Sequence, residues 1–239
     1  VNADQVDVLA FDVFGTSVDW WTGITRRIAE VVPGIDALGT DAAALAGAWR
    51  DRYLPSMARV RDRERPWTPL DALHRESLDD LLEVFGLAGR VDERARRELV
   101  RGWYRLPAWD DLAGGLERLR GRYVVVALSN GGFALLTHLA KDAGLRFDAI
   151  LSSELARTYK PDPAVYRTAA GLLGVEPARV LMVACHGWDI AGARAAGLRT
   201  AFLERPGEKG PDRPADRAAD TPSDLAVRTV DELATALGC

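Results

Sequence analysis

The chain has 239 residues, 48% hydrophobic and 28% charged, with a formal net charge of −4. That length holds one generous domain or a core with a smaller insert, and the balance of apolar and charged residues excludes a disordered chain. No basic stripe interleaved with aromatics suggests a nucleic-acid partner, two cysteines (Cys185 and Cys239) make no disulfide scaffold or zinc-type spacing, and the longest apolar runs are strand-length, too short for a membrane span.

The first apolar run, residues 6–11, ends in Asp12-Val13-Phe14-Gly15-Thr16 and reads as a buried strand opening into a turn. No strand-like run follows between about Asp19 and Arg105. That stretch holds most of the tryptophans and has helical periodicity around residues 45–57 and 70–85, so a helical insert is expected directly after the first strand. Its arginine-dense segments, 59–65 and 94–101, also carry acids, as solvated helix faces do. Pro107 marks the return to a strand–helix rhythm. Helices are expected over 108–120, 133–143, 163–173 and 190–196, each closed by glycine (Gly121, Gly144, Gly174, Gly197). Strands are expected over 123–128, 180–184 and 200–203. Residues 206–222, rich in Gly, Pro, Asp and Arg, read as a polar surface loop before a last strand–helix unit.

Near-continuous Val/Leu/Ala strands alternating with helices predict an α/β fold with a doubly wound parallel sheet, covered on both faces. The core would comprise residues 1–18 and 107–239, with 19–106 as an inserted helical cap. In such sheets ligands bind beyond the carboxyl ends of the strands. Asp12, Ser129-Asn130 and residues 184–189 stand at strand ends, and Tyr159-Lys160-Pro161-Asp162 precedes a helix. Their convergence would unite two carboxylates, Asp12 and Asp189, with Lys160. Such a trio is expected to separate the carboxylates into nucleophile and base.

Four ordered segments resemble the motifs of the haloacid dehalogenase superfamily. They are Asp12-Val13-Phe14-Gly15-Thr16, Leu128-Ser129-Asn130-Gly131, Lys160-Pro161-Asp162, and Trp188-Asp189 with residues 193–197. A helical cap between the first two is also that superfamily's habit. Its magnesium phosphatases have a second Asp where this chain has Phe14, and an acidic metal anchor where it has Ala184. Phe14 cannot protonate a leaving alcohol, and magnesium wants carboxylate and other oxygen ligands. The L-2-haloacid dehalogenases are the more similar branch, with an aromatic at the position of Phe14. They also have a Trp-Arg pair like Trp49-Arg50 and a tyrosine like Tyr166.

That resemblance implies a hydrolase of 2-haloacids that needs no metal or other cofactor, magnesium entering only if the phosphatase alternative held. Asp12 would attack carbon, with Lys160 and Thr16 holding its carboxylate. Ser129, helped by backbone N–H groups near Phe14 and Asn130, would orient the substrate carboxylate. Arg50, with Asn130, would receive the halide, and Asp189 would activate water. Phe14, Tyr166 and Trp188 would line the substrate site. Where the best-known relatives read Ser-Ser-Asn, this chain has Ala184-Cys185-His186, so His186 would hydrogen-bond water or halide. Cys185 reads as a buried small residue, His74 and His138 as structural or exposed, and Trp20 and Trp21 as pocket walls where cap meets core. A homodimer and a cytoplasmic location complete the expectation, there being no signal-peptide pattern at the N-terminus. Another leaving group α to a carboxylate, such as a strained ring amine, is the remaining alternative.

Overall fold

The computed structural model describes residues 3–239. Six parallel strands make one sheet: β1 (Val8–Phe11), β2 (Val124–Ser129), β3 (Ala149–Ser152), β4 (Val180–Ala184), β5 (Arg199–Leu203) and β6 (Leu225–Val227). Their spatial order is β3-β2-β1-β4-β5-β6. Chain order reverses between β1 and β4, which are neighbours in register (Val8 opposite Val180, Phe11 opposite Val183). The crevice beyond that reversal is where an open parallel sheet binds its ligand, and Asp12 and Cys185 are the first residues past the two strand ends.

Period-two alternation sends successive side chains to opposite faces. Leu9, Phe11, Val125, Ala127, Leu181 and Val183 pack on one face, under α6 (Leu112–Arg120), α7 (Phe133–Asp142) and α10 (Val230–Ala236). Val8, Ala10, Val126, Leu128, Met182 and Ala184 pack on the other, under α8 (Pro163–Leu172) and α9 (Gly187–Ala195). The sheet is doubly wound, as expected. One strand was not anticipated: β3 is four residues long at the sheet edge, and its first two are only half-buried. A run that short carries no readable periodicity.

Five helices lie between β1 and β2: α1 (Trp20–Val31), α2 (Ala42–Asp51), α3 (Tyr53–Arg61), α4 (Leu70–Val84) and α5 (Glu93–Gly102). Asp19, Asp41 and Asp92 cap α1, α2 and α5 by accepting the N–H of Thr22, Ala44 and Ala95, each cap contributing about 1 kcal/mol. The periodic stretch 45–57 is two helices, because the Arg52 N–H turns to Trp49 O at 3.1 Å. The segments entering and leaving this group run side by side, with a bridge between Val18 and Ala108 and Asp19 N–H on Pro107 O at 2.8 Å. Among the described residues, no helix is long and apolar enough to cross a membrane.

The loop after β5 lies mostly at the surface, as expected, but Glu208 within it and Arg205 just before it turn inward. Arg205 and Glu208 are 8% and 2% exposed. The Arg205 guanidinium forks onto Asp111 at 3.1 and 2.9 Å, and its Nε donates to Thr16 O at 3.1 Å. Polar composition here marks charge pairing inside the fold, which is the condition under which charged groups tolerate burial.

Candidate active site

Asp12 is held by the sheet it leaves: its N–H stays in the ladder, on Val183 O at 2.9 Å. Gly15 then takes a left-handed φ of 85° to turn the chain, and a Cβ there would meet Glu208 Oε1 at 2.5 Å, so glycine serves both turn and close approach. Thr16 Oγ donates to Asp12 Oδ2 at 3.0 Å and accepts the Cys185 N–H at 3.0 Å, which fixes the direction of its hydroxyl proton. Asp12 and Asp189 are both buried, and Lys160 Nζ stands 3.4 Å from Asp12 Oδ1 and 2.8 Å from Asp189 Oδ2. The Tyr166 hydroxyl donates to Asp189 Oδ1 at 2.6 Å.

Burial penalises both carboxylates, yet the net effects differ in direction. For Asp12, Lys160 and His186 outweigh burial and hold the carboxyl well below the usual range. For Asp189, burial and the negative charge of Asp12 prevail over Lys160, and its pKa is raised. The pair therefore has one firmly ionised member and one better suited to take a proton.

His186 joins this cluster to a third carboxylate. Its Nδ1 is 3.4 Å from Asp12 Oδ2 and its Nε2 is 3.1 Å from Glu208 Oε1. Burial opposes its charge, but Cys185, Glu208 and Asp12 together raise its pKa well above the ordinary value. Glu208 is held down at about 2, against burial, by His186, Arg50 and the indole of Trp20, whose N–H donates to it at 2.6 Å. Arg50 reaches Glu208 at 3.8 Å and lies over the Tyr53 ring, 4.2 Å from its centroid. Three carboxyl side chains (Asp12, Asp189, Glu208) thus stand against three basic residues that approach them through nitrogen (Lys160, His186, Arg50).

The other expected residues are also located. The Asn130 Oδ1 accepts the Lys160 N–H at 2.8 Å, and Phe14 packs edge-on against Tyr53 and Trp103. Trp188, half-buried, stacks on the His186 ring. Arg50 Nη1, Ser129 Oγ and Asn130 Nδ2 are buried without any partner. Unmade hydrogen bonds of buried groups cost roughly 1–3 kcal/mol each, so three such groups from two segments invite an acceptor-rich ligand. Trp20 is fully buried on Glu208, whereas Trp21 lines an open cleft of about 760 Å³ with Trp109 and residues 206–207 and 210–214. Cys185 and His74 are buried and His138 is exposed.

Two participants were not anticipated. Glu208 sits in Pro206-Gly207-Glu208-Lys209-Gly210, where nothing local sets it apart from its polar neighbours. Tyr53 had a usable signal, lying one helical turn beyond Arg50.

Residues 6–197 match the haloacid dehalogenase-like hydrolase family. The chain is 32% identical over 207 residues to (S)-2-haloacid dehalogenase 4A of Burkholderia cepacia, covering 85% of each. It superposes with a TM-score of 0.92 on the crystal structure of a defluorinating L-2-haloacid dehalogenase, at 40% identity, covering 98% of this chain and 96% of that one. For the L-2-haloacid dehalogenase of Xanthobacter autotrophicus with chloropropionic acid covalently bound, the TM-score is 0.81 at 26% identity, covering 96% and 97%.

Proposed function

The chain belongs to the haloacid dehalogenase-like hydrolase family, and we propose that it hydrolyses the carbon–halogen bond of 2-haloacids to give 2-hydroxy acids through an ester on Asp12. The observation that carries this reading is the pair of buried carboxylates around Lys160, one held ionised and one raised in pKa, next to an Arg50 guanidinium with an unpartnered nitrogen.

In the first step an Asp12 oxygen attacks the carbon bearing the halogen. The C–O bond forms as the carbon–halogen bond breaks, the electron pair leaves with halide, and the carbon inverts. Lys160 and Thr16 hold the nucleophile. Ser129, with backbone N–H groups near Phe14 and Asn130, takes the substrate carboxylate, and Arg50 receives the halide, with Asn130 beside it. Arginine offers five donors and no acceptor, which suits an anion and excludes a base role. In the second step Asp189 takes a proton from water, hydroxide adds to the Asp12 carbonyl carbon, and the acyl–oxygen bond breaks. The departing alkoxide recovers the proton as the 2-hydroxy acid. Lys160 and Tyr166 fix Asp189 through one hydrogen bond to each oxygen, and each oxygen keeps lone-pair capacity for water. His186 hydrogen-bonds the water or the halide. Phe14 and Trp188 wall the site.

Finer proposals accompany this one. Residues 1–18 and 107–239 act as the core and 19–106 as a cap. Catalysis needs no metal, because Phe14 and the Ala184 methyl occupy the positions where a magnesium phosphatase has acids; activity in excess chelator should equal that without it. A homodimer is expected, with Leu54 and Val84 of the cap helices exposed; sedimentation showing only a 26.0 kDa species would dispose of it. The working compartment is the cytoplasm.

Ion chromatography of halide released from a panel of 2-haloacids tests the function. Stoichiometric halide and 2-hydroxy acid are expected. Magnesium-dependent hydrolysis of phosphate esters with no halide from any acid would replace this reading with the phosphatase one.

A further inference from the structure

Two aromatic rings hold Arg50. Its guanidinium carbon is 4.2 Å from the Tyr53 ring centroid and 5.2 Å from that of Trp20, both within the range in which a ring face attracts a cation. Nη2 is drawn toward Glu208 at 3.8 Å, and Nη1 is left buried without a partner. Tyr53 itself is 5% exposed and packs edge-on against Phe14, with ring centroids 6.3 Å apart. The groups that surround its hydroxyl electrostatically are Arg50, Asp12, His186 and the Asn130 side chain. The polar end of this ring therefore faces the nucleophile. Burial, opposed by Arg50, pushes the phenol up to about 12, so it carries its proton at neutral pH. Asn130 Nδ2 is also buried without a partner. A guanidinium N–H and an amide N–H can only donate, and the phenol supplies a third proton beside them. Three donors with no protein acceptor among them suit an anion.

On the dehalogenase reading, we propose that Tyr53 is a specificity-determining residue whose hydroxyl donates to the departing halide and favours fluoride. Arg50 spreads its charge over a planar group lying on a ring, which suits a large, diffuse anion. A hydroxyl is a localised donor whose hydrogen bonds to anions are short. Fluoride, the smallest halide, carries the most concentrated charge and gains most from such a donor. Bromide gains little and relies on Arg50 and the aromatic wall. As the Asp12 oxygen bonds to carbon, the carbon–fluorine electron pair leaves with fluoride. The Tyr53 O–H shortens onto that ion and keeps its proton, so fluoride departs as the anion. Tyr53 is thereby a partner to Arg50 in two respects, fixing its plane with the ring and completing its anion site with the hydroxyl.

The test compares the whole wild-type chain with Tyr53→Phe, which keeps the ring under Arg50 and removes only the hydroxyl; thermal melts of the two should coincide. Halide release from 2-fluoro-, 2-chloro- and 2-bromopropionate is followed in a single turnover with enzyme in excess. The fluoride rate should fall by at least ~10-fold, on the low side of the loss seen when a donor to developing negative charge is deleted, and the bromide rate by less than ~3-fold, with chloride between them. An equal loss for all three acids, or a rise in KM alone, would place the hydroxyl on the substrate carboxylate and overturn the proposal. A second readout needs no turnover: sodium fluoride titrated with the wild-type chain should show a broadened fluorine NMR line, and Tyr53→Phe should lose most of that broadening. If the wild type releases no halide from any of the acids, the dehalogenase reading has failed and the fluoride titration alone judges Tyr53. No broadening with the wild type, or broadening that survives Tyr53→Phe, would then overturn the anion site.

Discussion

The core edge and the helical insert meet around Asp12, and apart from Ser129 Oγ and Asn130 Nδ2, which are unpartnered on the core side, they treat buried polar atoms differently. On the core side Asp12, Thr16, Lys160, Tyr166 and Asp189 are tied to one another through short contacts. On the insert side Arg50 Nη1, both His74 nitrogens and Trp103 Nε1 have no partner, and their neighbours are rings. His74 stacks on Trp103 with centroids 4.5 Å apart and packs edge-on against Trp49. The core thus organises charge in advance, as catalysis of developing charge requires. The insert supplies a wall of low polarity in which a single guanidinium is felt strongly. The contrast agrees with the division of labour proposed above, with chemistry at the strand ends and the main contact to the leaving anion, Arg50, from the insert.

The largest expected effect breaks the chemistry on the core side. Asp189→Asn should abolish turnover while leaving the first displacement intact, giving a stoichiometric burst of halide and an intact-mass increase at Asp12. In the wild-type enzyme, one turnover in heavy-oxygen water should place label in the Asp12 carboxylate. Label found only in the product hydroxyl would mean that water attacks the substrate directly and the core-side assignment fails.

Next in size is Arg50→Ala, which should slow halide release itself by roughly 10²–10³-fold, the cost seen when one donor to developing negative charge is removed. The loss should be greatest for fluoride, the poorest leaving group. If the two variants stall at the same step, or Arg50→Ala alone accumulates the ester, the division between insert and core is wrong.

His74 gives the smallest effect and the cleanest test of the insert's low polarity. Burial, reinforced by the charge of Arg50, pushes its pKa down to about 3 from 6.5. The folded chain therefore keeps it neutral across a range in which the unfolded chain binds a proton. Its contribution to stability is intact above pH 6.5 and falls as pH drops toward 3. A phenyl ring has no such dependence. The stability of His74→Phe relative to wild type should rise by about 1.6 kcal/mol between pH 6.5 and pH 5, the slope growing toward about 1.36 kcal/mol per unit as the unfolded histidine becomes fully protonated. Denaturant melts at several pH values read this slope, and any constant packing cost cancels. Parallel pH profiles would mean that His74 is hydrated and the insert wall is more polar than its rings suggest.

Much of this site was legible because its parts lie where local rules operate. An apolar run ending in Asp12 and Gly15, a lysine just before a proline-started helix, and an acid in the first turn after a strand each announce themselves by periodicity and turn chemistry. The parallel sheet followed from strand–helix alternation, and the glycine closures from the needs of helix ends. Edge strand β3 escaped because four residues cannot establish a period. The break between α2 and α3 escaped because Trp49, Tyr53 and Met57 keep one helical stripe across it.

What the linear chain determined by itself was the set of chemical groups at each strand end and the kind of sheet that would gather them. Only the tertiary structure decided how those groups are charged and which residues from far along the chain complete them. Glu208 meets Trp20 across 188 positions, inside a loop whose composition reads as surface. The separation of Asp12 from Asp189 in proton affinity depends on a few ångströms to Lys160 and His186. Burial and electrostatic coupling are properties of distances between segments, and distances between segments leave no mark in a local pattern.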